Sequence, residues 1–199
     1  MCSHSRTDNV DQKLRQLNNY NSLGAVIAGI NGTAVHRLTQ TRELVPQQSQ
    51  KQFMRLEILM GTQKSHFAYR LAWTNTSTER IPFLPLHRRD LVLAEEGNRT
   101  YFDEGNTRIN WKKFELMGEV VVGIQRSQGT PYPTIARNEE VQRLVLDGRF
   151  PKDDDVSFTP PACRPSGLIL GPQELYERSI HIEGPGVGET RRRFNWYKR

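Results

Sequence analysis

Cysteine is nearly absent from these 199 residues: Cys2 and Cys163 are the only two. Thiols so few and so far apart speak against a disulfide framework and suit a reducing compartment, with the cytoplasm as the default location. Long apolar runs are missing as well. No stretch approaches the length of a membrane span, and Met1 to Leu17 is too polar for a signal peptide, so direct insertion into a membrane is not expected. Metal spacing is also missing. His4, His36, His66, His87 and His181 have no paired ligand pattern and no cysteine partners, which argues against zinc. No Gly-x-Ser-x-Gly nucleophile turn occurs. The Gly184 to Gly188 repeat has no strand before it or helix after it, so it does not make a phosphate cradle. Asp153-Asp154-Asp155 lacks further ligands at calcium-loop spacing and reads as a solvated turn. Glu95 and Glu96 are neighbours on one helix and point in different directions, which is poor geometry for an acid/base pair. Neither bond-making chemistry nor a cofactor is expected.

What is present is a soluble balance, 36% apolar and 25% charged, in a chain long enough for one domain with a core. The net charge is +6. It is scattered except at His87-Arg88-Arg89 and in the tail, at Arg191-Arg192-Arg193 and Lys198-Arg199. A nucleic-acid binder would rest on charge alone, and the acidic Glu95-Glu96 speaks against that region meeting phosphate, so no nucleic-acid partner is expected.

Hydrophobic periodicity is helical almost throughout, and the chain reads as all-α. Met1 to Asn9 reads as a polar, disordered leader. Val10, Leu14, Leu17, Leu23, Val26, Ile27 and Ile30 recur at helical spacing, with Asn18-Asn19-Tyr20-Asn21 as a candidate break and Asn31-Gly32 as the stop. A helix is predicted over Ala34 to Leu44, with Val35, Leu38 and Leu44 inward. Another starts at Pro46 and buries Phe53, Leu56, Leu59 and Met60. The next spans His66 to Trp73, with Phe67, Leu71 and Trp73 as core candidates. Trp111, Phe114, Met117, Val120, Val121 and Ile124 form a stripe whose plainest meaning is core. Val120-Val121-Val122 is β-branched, but its flanks keep the helical period. Asn138 to Leu146 is a short helix with Glu139 and Glu140 at its positive end. Residues 150–171 read as a long loop, Pro172 to Ser179 as the last helix, and residues 184–199 as a flexible basic tail. Ile81 to Ile124 organises the rest: a Pro-primed helix, the acidic turn Glu95-Glu96-Gly97-Asn98, and a returning helix from about Asn110, together a protruding helical hairpin.

Several stretches resemble the catalytic domain of Ras-type guanine nucleotide exchange factors. They are Asn18 to Leu23 with Ile30 to Leu38, Ile81 to Leu84 with Asp90-Leu91 and Glu95 to Asn98, Arg108 to Lys113, and Gly129 to Tyr132. They occur in the family's order and at its separations, between about Leu14 and Glu183. The resemblance implies a helical domain whose hairpin wedges into a Ras-family small GTPase (Ras, Rap or Ral type) and promotes GDP release without covalent chemistry. Position by position, it puts Glu96 against the GTPase phosphate-binding loop, Val92 at the apolar position that blocks the magnesium site, and Asn98 as the residue fixing the acidic turn. Asn31, His36, His66, Phe83, Asp90 and Glu95 fall on the GTPase-binding side. His36 and His66 could equally be ordinary surface or core histidines, and Phe83 could anchor the hairpin base. Recruitment to the inner face of the plasma membrane would come through the GTPase.

The chain departs from the family pattern in places. Pro85 replaces a glycine, Arg99 a proline and Trp111 a phenylalanine, and Val92 stands where leucine is usual. Only a short leader precedes the asparagine motif, so residues 10–183 are expected to form a partial catalytic domain lacking its N-terminal helices. The alternative to an exchanger is therefore a truncated, inactive GTPase-binding or scaffold fragment.

Overall fold

The computed structural model describes residues 3–133, 135–147 and 172–184. The expected Asp153 to Asp155 turn, Cys163 and the tail beyond Gly184 lie outside the described residues. Among the described residues there is no strand. Only two isolated bridges occur, Asn19 with Ile81 and Tyr101 with Ile109. The helices are α1 (Ser3–Gln16), α2 (Tyr20–Ile30), α3 (Thr33–His36), α4 (Thr39–Glu43), α5 (Gln47–Met60), α6 (Gln63–Asn75), α7 (Leu84–Gly97), α8 (Trp111–Gln128), α9 (Glu139–Leu146) and α10 (Pro172–Ile182). Helix α1 starts inside the stretch expected as a leader, earlier than its apolar pattern.

The chain divides into two compact units, Met1–Ala28 with Pro46–Ile135 and Gly29–Val45 with Ala136–Arg199. In the first, α1 packs on α5, α5 on α6, and α7 on α8. The break between α1 and α2 comes from the asparagine run. Asn18 takes a left-handed φ of 51°, which asparagine tolerates better than most residues. Its carbonyl accepts from the Ile81 N–H at 3.0 Å, and the Tyr20 N–H donates to Ile81 O at 3.0 Å. The Asn18 side-chain amide donates to Glu79 O. Asn19 Oδ1 accepts from the Ser22 N–H at 3.0 Å and caps α2. Asn21 Oδ1 accepts from the Leu84 N–H at the start of α7. The run is thus a clasp holding the entry of α2 to the entry of α7.

The core comprises Tyr20, Leu23, Ile27, Leu56, Met60, Tyr69 and Leu86, with Leu14, Phe53, Leu59, Ala72, Trp73 and Phe83 packed against it. The expected α5 stripe is all here. Its aromatic centre was less legible. Tyr20 and Tyr69 meet edge to face at 5.2 Å, and Trp73 stacks on Tyr69 at 6.2 Å. Phe67 and Leu71, expected inward, are exposed, and His66 and Tyr69 are buried in their place. Positions 66, 69 and 73 satisfy the helical period as well as 67 and 71 do. The buried tyrosine hydroxyl finds partners: it accepts from the Phe83 N–H at 2.9 Å and bonds His87 Nε2 at 2.7 Å.

The α8 stripe is also corrected. Trp111 is 71% exposed, and Phe114 and Val121 are exposed too, whereas Lys113 and Ser127 are buried. Periodicity shows that a face is apolar but not that a neighbour covers it. At the end of α8, the Tyr132 hydroxyl donates to Leu17 O and ties this exit back to the end of α1.

In the second unit α10 packs on α3. The predicted Ala34 to Leu44 helix is two helices, broken at Arg37-Leu38, and Leu44 is exposed. Glu183 explains the second start. Its carboxylate accepts from the Thr41 N–H and hydroxyl, each at 2.7 Å, and from the Gln40 N–H at 3.2 Å, which caps α4. Arg37 donates to Ser179 Oγ and to Glu183 O and lies 5.7 Å over the Tyr176 ring. Asn138 caps α9 by accepting from the Val141 N–H at 3.0 Å.

Candidate functional site

Helix α7, Leu84–Gly97, is flanked by Phe83 at its N-cap and Asn98 at its C-cap. Pro85 stands in its first turn, where a missing N–H leaves no bond unmade. The buried side carries Leu86 and His87. The open side carries Leu84, Arg88, Val92 and Glu96, each four residues from the last and so on one row of the helix surface. Val92 is 45% exposed. An apolar group and a carboxylate one turn apart therefore face outward together.

The inner side is bolted down. Asp90, expected to meet a partner, is turned to α6, where both its oxygens lie within 2.8 Å of Arg70 Nη2. Arg70 also donates from Nε to Ser65 O. Glu95 is turned to α8, with Oε1 accepting from Lys113 Nζ at 2.8 Å. Lys113 also donates to Thr100 Oγ1 at 3.0 Å. Both acids thus have structural partners, although Glu95 keeps over half of its side chain exposed. The Asn98 side-chain amide donates to Ala94 O at 3.0 Å and closes the last turn of α7.

The connection from α7 to α8 folds back through the Tyr101–Ile109 bridge. The Phe102 N–H donates to Arg108 O at 2.9 Å and the Asn110 N–H to Thr100 O at 2.8 Å. Asp103 is its hub. Its carboxylate accepts from the Arg108 N–H at 2.8 Å and from the Thr107 N–H and hydroxyl. The Thr107 hydroxyl, then the Arg108 N–H, hold the Asp103 carboxyl below its ordinary range. Asn110, itself buried, donates to Arg99 O at 2.9 Å.

Phe83 fixes the base of the unit. Its ring is half-buried and packs against the core, 6.1 Å from Tyr69. Gly24 makes room for it, since a Cβ there would lie 2.6 Å from Phe83 Cε2. Burial pushes the Tyr69 hydroxyl far above its ordinary range and lowers His87 below 6.5. The Tyr69 hydroxyl therefore keeps its proton, and it is hydrogen-bonded to His87 Nε2. His66, expected on the GTPase-facing side, is instead buried with its ring 6.2 Å from Phe83. It follows Lys64 and Ser65 in a left-handed first turn of α6, and in that conformation its ring lies in the core. Asn31 and His36 are exposed in the second unit. Among the described residues no cluster of three His, Cys, Asp or Glu could hold a metal ion, and no helix is long and apolar enough to cross a membrane.

Lys113, Arg70, Asn19, Asn21 and Tyr132 support the site without having been picked out for it. All but Arg70 sit inside the matched motifs, so the motifs themselves held the signal.

The RasGEF domain family matches residues 5–115, a span that ends at the beginning of α8 and takes in all of α7. Ras guanine nucleotide exchange factor P of Dictyostelium discoideum is 36% identical over 163 residues, 82% of this chain and 10% of that protein. Rap guanine nucleotide exchange factor 5 of Mus musculus is 32% identical over 126 residues, 63% of this chain and 15% of that protein. Ras guanine nucleotide exchange factor M of Dictyostelium discoideum is 30% identical over 176 residues, 88% of this chain and 17% of that protein. The chain thus spans less than a fifth of the length of these curated relatives. With more than half of its own residues inside the family match, it belongs to the RasGEF domain family.

Proposed function

We propose that this chain is a guanine nucleotide exchange factor for a Ras-like small GTPase and that α7, held by α8, is its working element. The observation that carries this is the outward pairing of Val92 and Glu96 on a helix whose inner side is fixed by Arg70 and Lys113. An apolar side chain pushed among the oxygen ligands of Mg²⁺ offers it none, and the ion is lost. A carboxylate brought to the phosphate-binding loop repels phosphate and competes for the loop's lysine and hydroxyl donors. Asn98 keeps the end of α7 closed, so Glu96 is presented in one place. Phe83 sets the base, and the exposed part of Glu95 is a secondary contact. No bond is made or broken. The chain binds the nucleotide-free GTPase more tightly than the loaded one, and that difference weakens nucleotide binding by the same factor. Binding occurs where the GTPase resides, at the cytoplasmic face of a membrane.

A second possibility is a fragment that binds GTPases without opening them. The exposed Trp111 and Phe114 on α8 favour it, as apolar area available for association. Release of a fluorescent nucleotide from Ras, Rap and Ral types separates the two. Faster release that Val92→Ala/Glu96→Ala abolishes supports the exchanger and identifies its GTPase. Tight binding of nucleotide-free GTPase with no faster release leaves the fragment.

A further inference from the structure

The exposed residues of α7 have a charge order that helix stability does not explain. Arg88 and Arg89 lie in its first half, and Glu95 and Glu96 close its last turn. A helix C-terminus favours positive charge, so Glu95 and Glu96 oppose the helix dipole there, while Arg88 and Arg89, in the second turn, gain nothing from it. The two arginines are also unspent. Both are exposed, and among the described residues neither forms an ion pair or a hydrogen bond. The neighbouring acid, Asp90, is committed to Arg70. By contrast, Arg80 lies 4.0 Å over the Trp73 ring and Arg15 donates to Asn18. Around Arg88 and Arg89 are the exposed Leu84, Val92 and Leu93. Guanidinium set among apolar side chains is the composition of an interface centre more than of a solvated face.

We propose that Arg88 and Arg89 are the specificity-determining charge of this surface and that they read carboxylates on the GTPase, so that the chain selects Ras-like proteins with an acidic patch beside the nucleotide site. This rests on the exchange-factor reading. The row runs from positive through apolar to negative, with Arg88 and Glu96 about 12 Å apart along the axis at 1.5 Å per residue. A fitting partner carries acidic groups at one end and the basic phosphate-binding loop at the other, and only one docking direction satisfies both ends. An anionic membrane fits poorly, because the same row would bring Glu96 against it.

The experiment measures nucleotide release from the GTPase panel at low and high salt, with wild type, Arg88→Glu/Arg89→Glu and Arg88→Lys/Arg89→Lys. Thermal melting serves as the control. The reversed variant should melt close to wild type, because both side chains are exposed and neither guanidinium holds a bond within the fold. The expected result is a fall of about tenfold in kcat/KM for the reversed variant, carried by KM, with a weaker salt dependence. The lysine variant should keep the salt dependence. A wild type that neither binds nor opens any GTPase overturns the exchange-factor reading and this inference with it. An active wild type whose reversed variant keeps its KM and salt dependence overturns this inference alone. So does a reversed variant that loses only binding to phosphatidylserine vesicles.

Discussion

Lys113 and Glu95 meet at 2.8 Å across the two helices of the candidate site, and they are unequal partners: the Lys113 side chain is 3% exposed and that of Glu95 58%. A buried ammonium needs its acceptors more than an exposed carboxylate needs its donor. Glu95→Ala should therefore destabilise the first unit by about 1–2 kcal/mol, because it strips an acceptor from a buried cation. Lys113→Met removes the cation together with its need and should cost less. Urea midpoints for the two variants decide this. Equal losses, or a greater loss for Lys113→Met, would count against a buried lysine that depends on Glu95.

Gly24 and Phe83 give a steric prediction. A methyl on residue 24 would stand 2.6 Å from Phe83 Cε2, and Met60 closes the other side at 3.3 Å. The ring must move, so Gly24→Ala should cost about 1–3 kcal/mol, typical of overpacking. Because Phe83 also donates its N–H to Tyr69, the start of α7 should shift and nucleotide release should slow. Adding Phe83→Leu should recover part of the melting temperature. A double variant no better than Gly24→Ala would remove the ring as the cause.

Much of the helical layout was legible because helix stops are local. Asn31-Gly32 and Pro46 end and begin elements where the sequence places them. Facing was less legible, because it depends on partners distant in sequence. Tyr69 faces inward since His87, eighteen residues away, hydrogen-bonds its hydroxyl there. Lys113 is buried since Glu95 and Thr100 meet it there. No periodicity holds that information. The matched motifs were legible as a family pattern, but Asn18, Asn19, Asn21 and Tyr132 serve to hold helix ends together, which only their hydrogen bonds disclose.

His87 supplies a pH dependence. Burial lowers its pKa below the ordinary 6.5; Asp90 opposes that shift and Arg70 adds to it. The unfolded chain therefore binds a proton more readily than the folded one, and stability rises with pH in that window. The contribution of the neutral ring is whole above 6.5 and is lost as pH falls through the folded value. Melting temperature should drop on acidification below 6.5, and His87→Gln, whose amide oxygen can still accept from Tyr69, should flatten the drop. A wild-type curve that is level or rises toward acid pH would contradict the assignment.

Glu183 makes the corresponding prediction for the second unit, at a lower pH. The Thr41 hydroxyl, then the N–H groups of Thr41 and Gln40, hold its carboxyl below the ordinary 4.5. Here the folded state prefers the charged form, so its contribution is present above 4.5 and is lost as pH falls through the folded value. The bonds it makes protect two particular amides, those of Gln40 and Thr41 at the start of α4. Glu183→Gln should speed hydrogen exchange at both at neutral pH, since a neutral amide is the weaker acceptor for two backbone donors. The rise should be local, sparing the amides of α5 and α6 in the other unit. Unchanged protection at Gln40 and Thr41 would mean that α4 starts where it does without Glu183. The break at Arg37-Leu38 would then need a cause within α3 and α4 themselves.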